Sequence, residues 1–381
     1  MSVSHELSNG PTDAISALSF SPSGSRLAVA SWDQSITIYQ RKTSDPDSPN
    51  GPIFSGLSKV FCRGPILDIC WARGTEDEED NIYFVGLDHT VRRVNIKGPN
   101  GTQEVLSTHE KPSNKIVYSA EHGLLISTSW DGTMHIHNLQ GQRHVRVRLA
   151  AKPFAIALTD ERVVVAMAGR KVSIYELATL AGAVEREASS EVLDVEPWQR
   201  RESSLKFQTR AVACMPDGTG FATSSIEGRV SVEWFAESRQ GDTYAFKCHR
   251  KTEKTTVTRT GSNGDQTATE TTEEIDVVYP VNALTFHPVY GTFATGGGDG
   301  LVAFWDAQTK RRIKYIPHFP ASVGALAFSP DGGLLAVGVS PGFEEGDEDK
   351  QPRPELCKIY IRELKENEAK PRTPATGTGA K

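Results

Sequence analysis

Three cations and two indoles have the types and spacing to hold a ligand. Arg210 opens an apolar alternating run, Arg229 follows the polar turn Ser225-Ile226-Glu227-Gly228, and Lys247 stands in Ala245-Phe246-Lys247-Cys248-His249-Arg250. Read as the first, third and fourth strands of one antiparallel sheet, these runs bring all three positions to the same end. Strands about 5 Å apart then let long basic side chains meet on one oxyanion. Salt bridges to Glu202 or Glu227 are the competing use of the same cations. Trp32 and Trp130 each precede an Asp in a turn, in Ser31-Trp32-Asp33-Gln34-Ser35 and Ser129-Trp130-Asp131-Gly132-Thr133. An indole there either covers the neighbouring sheet or offers an aromatic platform to a partner segment.

Other chemistry is sparse. No G-x-S-x-G, H-E-x-x-H or phosphate-loop motif occurs, and Gly296-Gly297-Gly298 reads as a turn with no helix after it, so no catalytic residue is assigned and no enzyme is expected. His135 and His137 alternate on one strand face without a third ligand nearby, so neither a metal nor a cofactor is expected. Asp33, Asp88, Asp131 and Asp299 have a structural use, accepting backbone hydrogen bonds in a tight turn or pairing with a His of the preceding connection such as His109.

The elements that position these groups are short strands. The strand, Asp-bearing turn, strand phrase recurs in seven units, at about 13–41, 59–97, 105–140, 146–180, 205–250, 278–313 and 322–364. Repetition at that interval predicts an all-β, seven-bladed WD-repeat β-propeller over 1–365, a single domain. The seventh unit has three good strands, so a strand at about 4–10 is expected to complete it and remove the exposed sheet edge. Insertions at 42–56 and 251–275 read as mobile, and 366–381 as a disordered tail.

Composition is that of a globular protein, 38% hydrophobic and 24% charged, and no apolar run approaches the roughly 18 residues of a membrane span. No basic start followed by an apolar core opens the chain, so no secretory signal is expected. Five scattered cysteines, an odd number without a C-x-x-C pair, read as reduced thiols of the cytosol or nucleus. The net charge of -6 argues against general nucleic-acid binding. Acid gathers at 76–80 and 344–349 while base crowds 200–251, a pattern that points to a discrete anionic ligand.

The run Arg200-Arg201-Glu202-Ser203-Ser204-Leu205-Lys206-Phe207-Gln208-Thr209-Arg210, with Ser225-Ile226-Glu227-Gly228-Arg229-Val230 and the Lys247 segment, resembles the WD-repeat family of the spindle assembly checkpoint, the third of the budding-uninhibited-by-benzimidazole set. A related nuclear-pore mRNA-export family shares the second and third segments. The first segment and Gly86-Leu87-Asp88-His89 favour the checkpoint family. The resemblance implies a non-catalytic adaptor of the nucleus and kinetochore, also found in the cytoplasm. It implies binding to GLEBS motifs of a checkpoint kinase and its kinase-lacking relative, to phosphorylated Met-Glu-Leu-Thr repeats of a kinetochore scaffold, and membership of the mitotic checkpoint complex, with no membrane or direct nucleic-acid partner. On that pattern Trp32 and Trp130 match the turn tryptophans that meet the GLEBS segment, and Arg210, Arg229 and Lys247 fall on the phosphopeptide side. The insertion at 251–275 departs from the animal pattern and suits a fungal member. The alternative is an mRNA-export factor that binds a GLEBS-containing nucleoporin.

Overall fold

The computed structural model describes residues 4–42, 53–71, 79–98, 101–186, 191–259, 269–316, 318–342 and 353–371, whose strands form seven sheets of four or five strands and one separate two-stranded ribbon. The innermost strands of successive sheets touch in chain order and the first touches the last, which closes a seven-bladed β-propeller. From the axis outward, blade 1 comprises Ile15–Phe20, Arg26–Ser31, Ser35–Arg41 and Phe54–Phe61. Blade 3 comprises Ser113–Ser119, Leu124–Ser129, Thr133–Asn138 and Arg143–Arg148, and blade 5 comprises Thr209–Cys214, Gly220–Ser225, Arg229–Trp234 and Tyr244–Lys247. Blades 2, 4 and 6 lie within 66–108, 153–202 and 281–316. Blade 7 takes Val323–Phe328, Leu334–Val339 and Lys358–Glu363 from the C-terminal end of the chain and its outer strand, Ser4–Glu6, from the N-terminal end, with Ser4 opposite Arg362 and Glu6 opposite Tyr360.

Each blade packs both faces against its neighbours, so a second strand such as Leu124–Ser129 is buried along its whole length. Seven apolar clusters fill the seven gaps between adjacent blades. Outer strands meet water and are polar: Arg143–Arg148 buries only Val145 and Val147. That polarity corrects the boundaries drawn from apolar alternation. The outer strand of blade 1 begins at Phe54, inside the stretch read as an insertion, and runs to Phe61 in the expected second unit. Residues 105–108 belong to blade 2 rather than to the third unit, 146–148 to blade 3 rather than to the fourth, and the outer strand of blade 4, Gln199–Glu202, lies beyond that unit's expected end at 180.

Every inner strand also carries a β-bulge at the same place, with Ser16, Leu67, Asn114, Phe154, Arg210, Asn282 and Gly324 as the extra residues. Four of them reach toward the next blade. Ser16 Oγ donates to the Ile66 carbonyl at 2.6 Å, Asn114 Nδ2 to the Pro153 carbonyl at 3.1 Å, Arg210 Nη2 to Asn282 Oδ1 at 2.9 Å, and Asn282 Nδ2 to Ser322 Oγ at 3.0 Å. Gly324 closes the ring by absence of a side chain, since a Cβ there would lie 2.9 Å from the Ile15 carbonyl oxygen.

Three departures from sequence expectation remain. Within the 251–275 insertion the chain is paired: Arg250–Arg259 and Thr269–Val278 form an antiparallel ribbon between blades 5 and 6. In the stretch read as a tail, Glu366–Ala369 form a turn of helix, where buried Glu368 accepts from Arg362 Nη2 at 2.8 Å and pairs with Lys314. Residues 43–52, 260–268 and 372–381 of the expected insertions and tail lie outside the described residues. An unforeseen helix, Leu177–Arg186, sets Leu177, Leu180, Ala183 and Val184 against blades 3 and 4, and Val192–Leu193 then adds to Arg143–Arg148 as a parallel fifth strand. Among the described residues no helix is long and apolar enough to cross a membrane.

Candidate functional site

One backbone device recurs on the face that gathers the Asp-bearing turns. The residue after each second strand donates its amide to a carbonyl of the preceding interblade connection: Trp32 to Ala14 (2.9 Å), Leu87 to Pro65 (3.0 Å), Trp130 to Pro112 (3.1 Å), Ala168 to Lys152 (2.8 Å), Ile226 to Gln208 (3.1 Å), Gly298 to Pro280 (2.9 Å) and Ser340 to Ser322 (3.0 Å). The frame is sevenfold while its side chains differ. Large apolar groups occupy it on blades 1, 2 and 3 in succession, and Trp32, Leu87 and Trp130 are all half-buried. Leu87 is not aromatic, yet its offset before Asp88 is that of the two indoles before Asp33 and Asp131. Lys152 Nζ lies 4.6 Å from the Trp130 ring, and Phe61, at the same end of blade 1, is 69% exposed. The result is an apolar arc with a cation at one end.

The aspartates below this face serve the turns. Asp33 accepts from the Thr12 amide at 3.0 Å, from Ser35 and from Lys59 at 3.1 Å, bonds that outweigh the upward push of burial and hold its carboxyl below the usual range. Asp131 is likewise held low by His109 Nδ1 at 3.2 Å, Thr133 and the Glu110 amide, against the opposing effect of burial. His109 Nε2 in turn meets Ser127 Oγ at 3.1 Å. The same relay recurs in blade 6, where His249 contacts Asp299 (2.8 Å) and Thr295 (2.8 Å), which accepts from the buried indole of Trp305 (2.9 Å).

Blade 5 holds its charges differently. Arg229 and Lys247 are direct cross-strand partners, so both project from the same side of the blade, and Lys247 is exposed. Glu227 Oε2 lies 3.4 Å from Arg229 Nε, which has no hydrogen-bond partner among the described residues. Glu202, the other competing acid, is held by Arg170 at 2.9 Å instead. Arg210 stands apart from this pair, on the innermost strand two positions inward, where its guanidinium holds Asn282 at the channel. Thus the structure joins two of the three expected cations and gives the third an interblade bond. Phe207 and Ile226, both exposed on the same face, flank blade 5 and were not singled out from sequence.

A family model described as WD domain, G-beta repeat matches residues 2–40, 101–138 and 278–306. The Arabidopsis thaliana mitotic checkpoint protein BUB3.1 is 38% identical over 379 residues, 97% of this chain and 96% of that protein. The chain belongs to the BUB3 family. The Schizosaccharomyces pombe spindle assembly checkpoint protein bub3 is 30% identical, covering 98% of this chain and 99% of that protein. A poly(A)+ RNA export protein of the same yeast is 27% identical over 96% of this chain and 92% of that protein.

Within this BUB3-family propeller the two strand histidines gain neighbours the sequence did not reveal. His109 stacks on His135 at 3.5 Å and His144 on His137 at 5.1 Å, while Ser107 Oγ bridges His135 Nδ1 (2.9 Å) and His137 Nε2 (3.0 Å). Burial, reinforced by the surrounding imidazoles, pushes His135 down to about 2 and His137 down to about 3, so both rings are neutral at pH 7. They pack between blades 2 and 3, and no group of three or more His, Cys, Asp or Glu suited to a metal occurs among the described residues. Burial also raises the Cys62 and Cys248 thiols to about 12, which keeps them protonated.

Proposed function

We propose that this chain is a non-catalytic adaptor of the spindle assembly checkpoint, working at the kinetochore and in the nucleus. Full-length similarity to mitotic checkpoint proteins carries the reading, with 38% identity over 97% of the chain. In it, the apolar arc of Trp32 and Trp130 receives a GLEBS segment from a checkpoint kinase or its kinase-lacking relative, and so brings the kinase into the mitotic checkpoint complex. A half-buried aromatic held in a turn loses little conformational freedom on binding and still offers a large ring edge, which suits it to anchor an extended segment.

Arg229 and Lys247 form the phosphate side in this reading, with Arg210 at the channel edge of the same blade. A phosphothreonine dianion competes for Arg229 against the single charge of Glu227, and Lys247 adds a second donor. Phosphorylated Met-Glu-Leu-Thr repeats of a kinetochore scaffold are therefore the assigned ligand. Fluorescence-anisotropy titration of phosphorylated and plain Met-Glu-Leu-Thr peptides, with and without a GLEBS peptide, tests this. Preference for the phosphorylated form supports it, and equal affinity in every condition removes it.

A second reading, an mRNA-export factor that binds a GLEBS-bearing nucleoporin, is favoured by the 27% identical poly(A)+ RNA export relative and ranks below the first on that lower identity. Proteins recovered with the chain from mitotically arrested cells distinguish the two: checkpoint kinases for the first, a nucleoporin for the second.

A further inference from the structure

Among the described residues, the ribbon after blade 5 is a sheet without a third strand. Arg250–Arg259 and Thr269–Val278 pair over ten residue pairs, and neither strand joins a blade. A two-stranded ribbon of this kind is marginal in water, and each of its outer edges presents unpaired amides and carbonyls. The two strands differ sharply in charge. The first holds Arg250, Lys251, Lys254 and Arg259 against Glu253 alone, whereas the second holds Glu270, Glu273, Glu274 and Asp276 and no cation. Of the ion pairs across the ribbon, Arg250 with Asp276 at 3.9 Å is half-buried, while Lys254 with Glu274 at 3.7 Å is exposed and exchanges readily for other partners. The basic strand begins three residues after Lys247, and Arg250 Nη2 reaches back to the Glu227 carbonyl at 3.3 Å, so the edge runs on directly from the Arg229–Lys247 pair.

We propose that the outer edge of Arg250–Arg259 adds a third strand from the phosphorylated scaffold peptide, taking the acidic residues that flank its phosphothreonine. The inference rests on the phosphopeptide reading above and extends it from one residue to a stretch of chain. Backbone pairing supplies affinity without sequence demands, and the cations select an acidic flank over a neutral or basic one. In a protein of net charge -6, this strand concentrates cations next to the Arg229–Lys247 pair, with Lys251 pairing to Glu253 at 3.0 Å.

Because Arg250 and Val278 are cross-strand partners, the ribbon can be excised and its ends joined by a two-residue Asn-Gly turn without moving the blade connection. The experiment titrates a phosphorylated Met-Glu-Leu-Thr peptide carrying an acidic flank, the same peptide with a Ser/Gly flank, and an acidic-flank peptide N-methylated at alternate amides. Wild type should prefer the acidic flank by roughly tenfold, and that preference should vanish in the excised chain and in Lys251→Glu with Lys254→Glu. Alternate N-methylation should cost wild type a similar factor and the excised chain nothing. Unchanged flank preference after excision, or indifference to N-methylation, overturns the inference while leaving the phosphate pair intact. Loss of GLEBS-peptide affinity alone on excision assigns the ribbon to that partner and overturns it too. Failure of the underlying reading looks different: wild type would then bind phosphorylated and plain peptides equally.

Discussion

Blades 3 and 5 share a strand order and a turn frame, yet one spends its polar groups internally and the other presents them. In blade 3 Asp131, His109, Ser127 and Thr133 satisfy one another, Ser107 bridges two neutral imidazoles, and the outer strand is covered by Val192–Leu193. On the face that gathers the turns, blade 3 offers the half-buried Trp130. In blade 5 the turn carries Glu227 where blade 3 has Asp131, the short outer strand Tyr244–Lys247 ends in an exposed cation, and Arg229 Nε lacks a hydrogen-bond partner among the described residues. The same repeat frame therefore carries blades that differ in how far they satisfy their own polar groups.

The sharpest break of that contrast is Trp32→Ala with Trp130→Ala. Each hot-spot aromatic is worth about 2 kcal/mol, so calorimetry should show the GLEBS peptide weakened several hundred-fold or more with phosphopeptide affinity retained in the absence of GLEBS peptide. Equal loss of both ligands would mean that the two regions are one site. Next in size, Arg229→Ala with Lys247→Ala should cost the phosphopeptide at least about a hundredfold and leave the melting temperature near wild type, since Lys247 is exposed. Added salt should weaken wild type more than this variant, because the lost interaction is electrostatic.

Acid should act on blade 3. His135 and His137 have folded pKa values far below the ordinary 6.5, so the unfolded chain takes up their protons first and stability falls as pH drops below about 6.5. The two rings together should lose roughly 1.4 kcal/mol between pH 7 and 6, read as a falling thermal midpoint that flattens above pH 7. His137→Gln should reduce that slope, and an unaltered slope would show that other groups govern it. The smallest effect is expected from Glu227→Gln, which removes the acid 3.4 Å from Arg229. Plain acidic peptides should gain about two- to fivefold in affinity, consistent with a half-buried, loosely held pair worth about 1 kcal/mol or less, so that discrimination for phosphate narrows.

Much of the propeller was legible because inner and second strands are sandwiched between blades and must be apolar along their length, as in Leu124–Ser129. Outer strands such as Arg143–Arg148 and Gln199–Glu202 are half in water and carry no such signal, which is why their boundaries slipped. The helix Leu177–Arg186 did carry one, with apolar residues at helical spacing, and was obscured by the search for strands. At the candidate site the positions of Trp32, Trp130, Arg229 and Lys247 at turns and strand ends followed from residue order alone. The convergence of Arg210 with the other two cations did not, because a bulge turns it into the channel toward Asn282.

By itself the sequence determined the seven repeats, their turns, the terminal strand that closes the ring and the family to which the chain belongs. Those features depend on local alternation and on residues close together in the chain. Only the tertiary structure decided which side chains meet: the histidine stack between blades 2 and 3, the bond from Arg210 to Asn282 and the burial of Glu368 against Lys314. Contacts of that kind join residues on different strands or different blades. Their geometry depends on register, bulges and blade spacing, which a run of residue types does not specify.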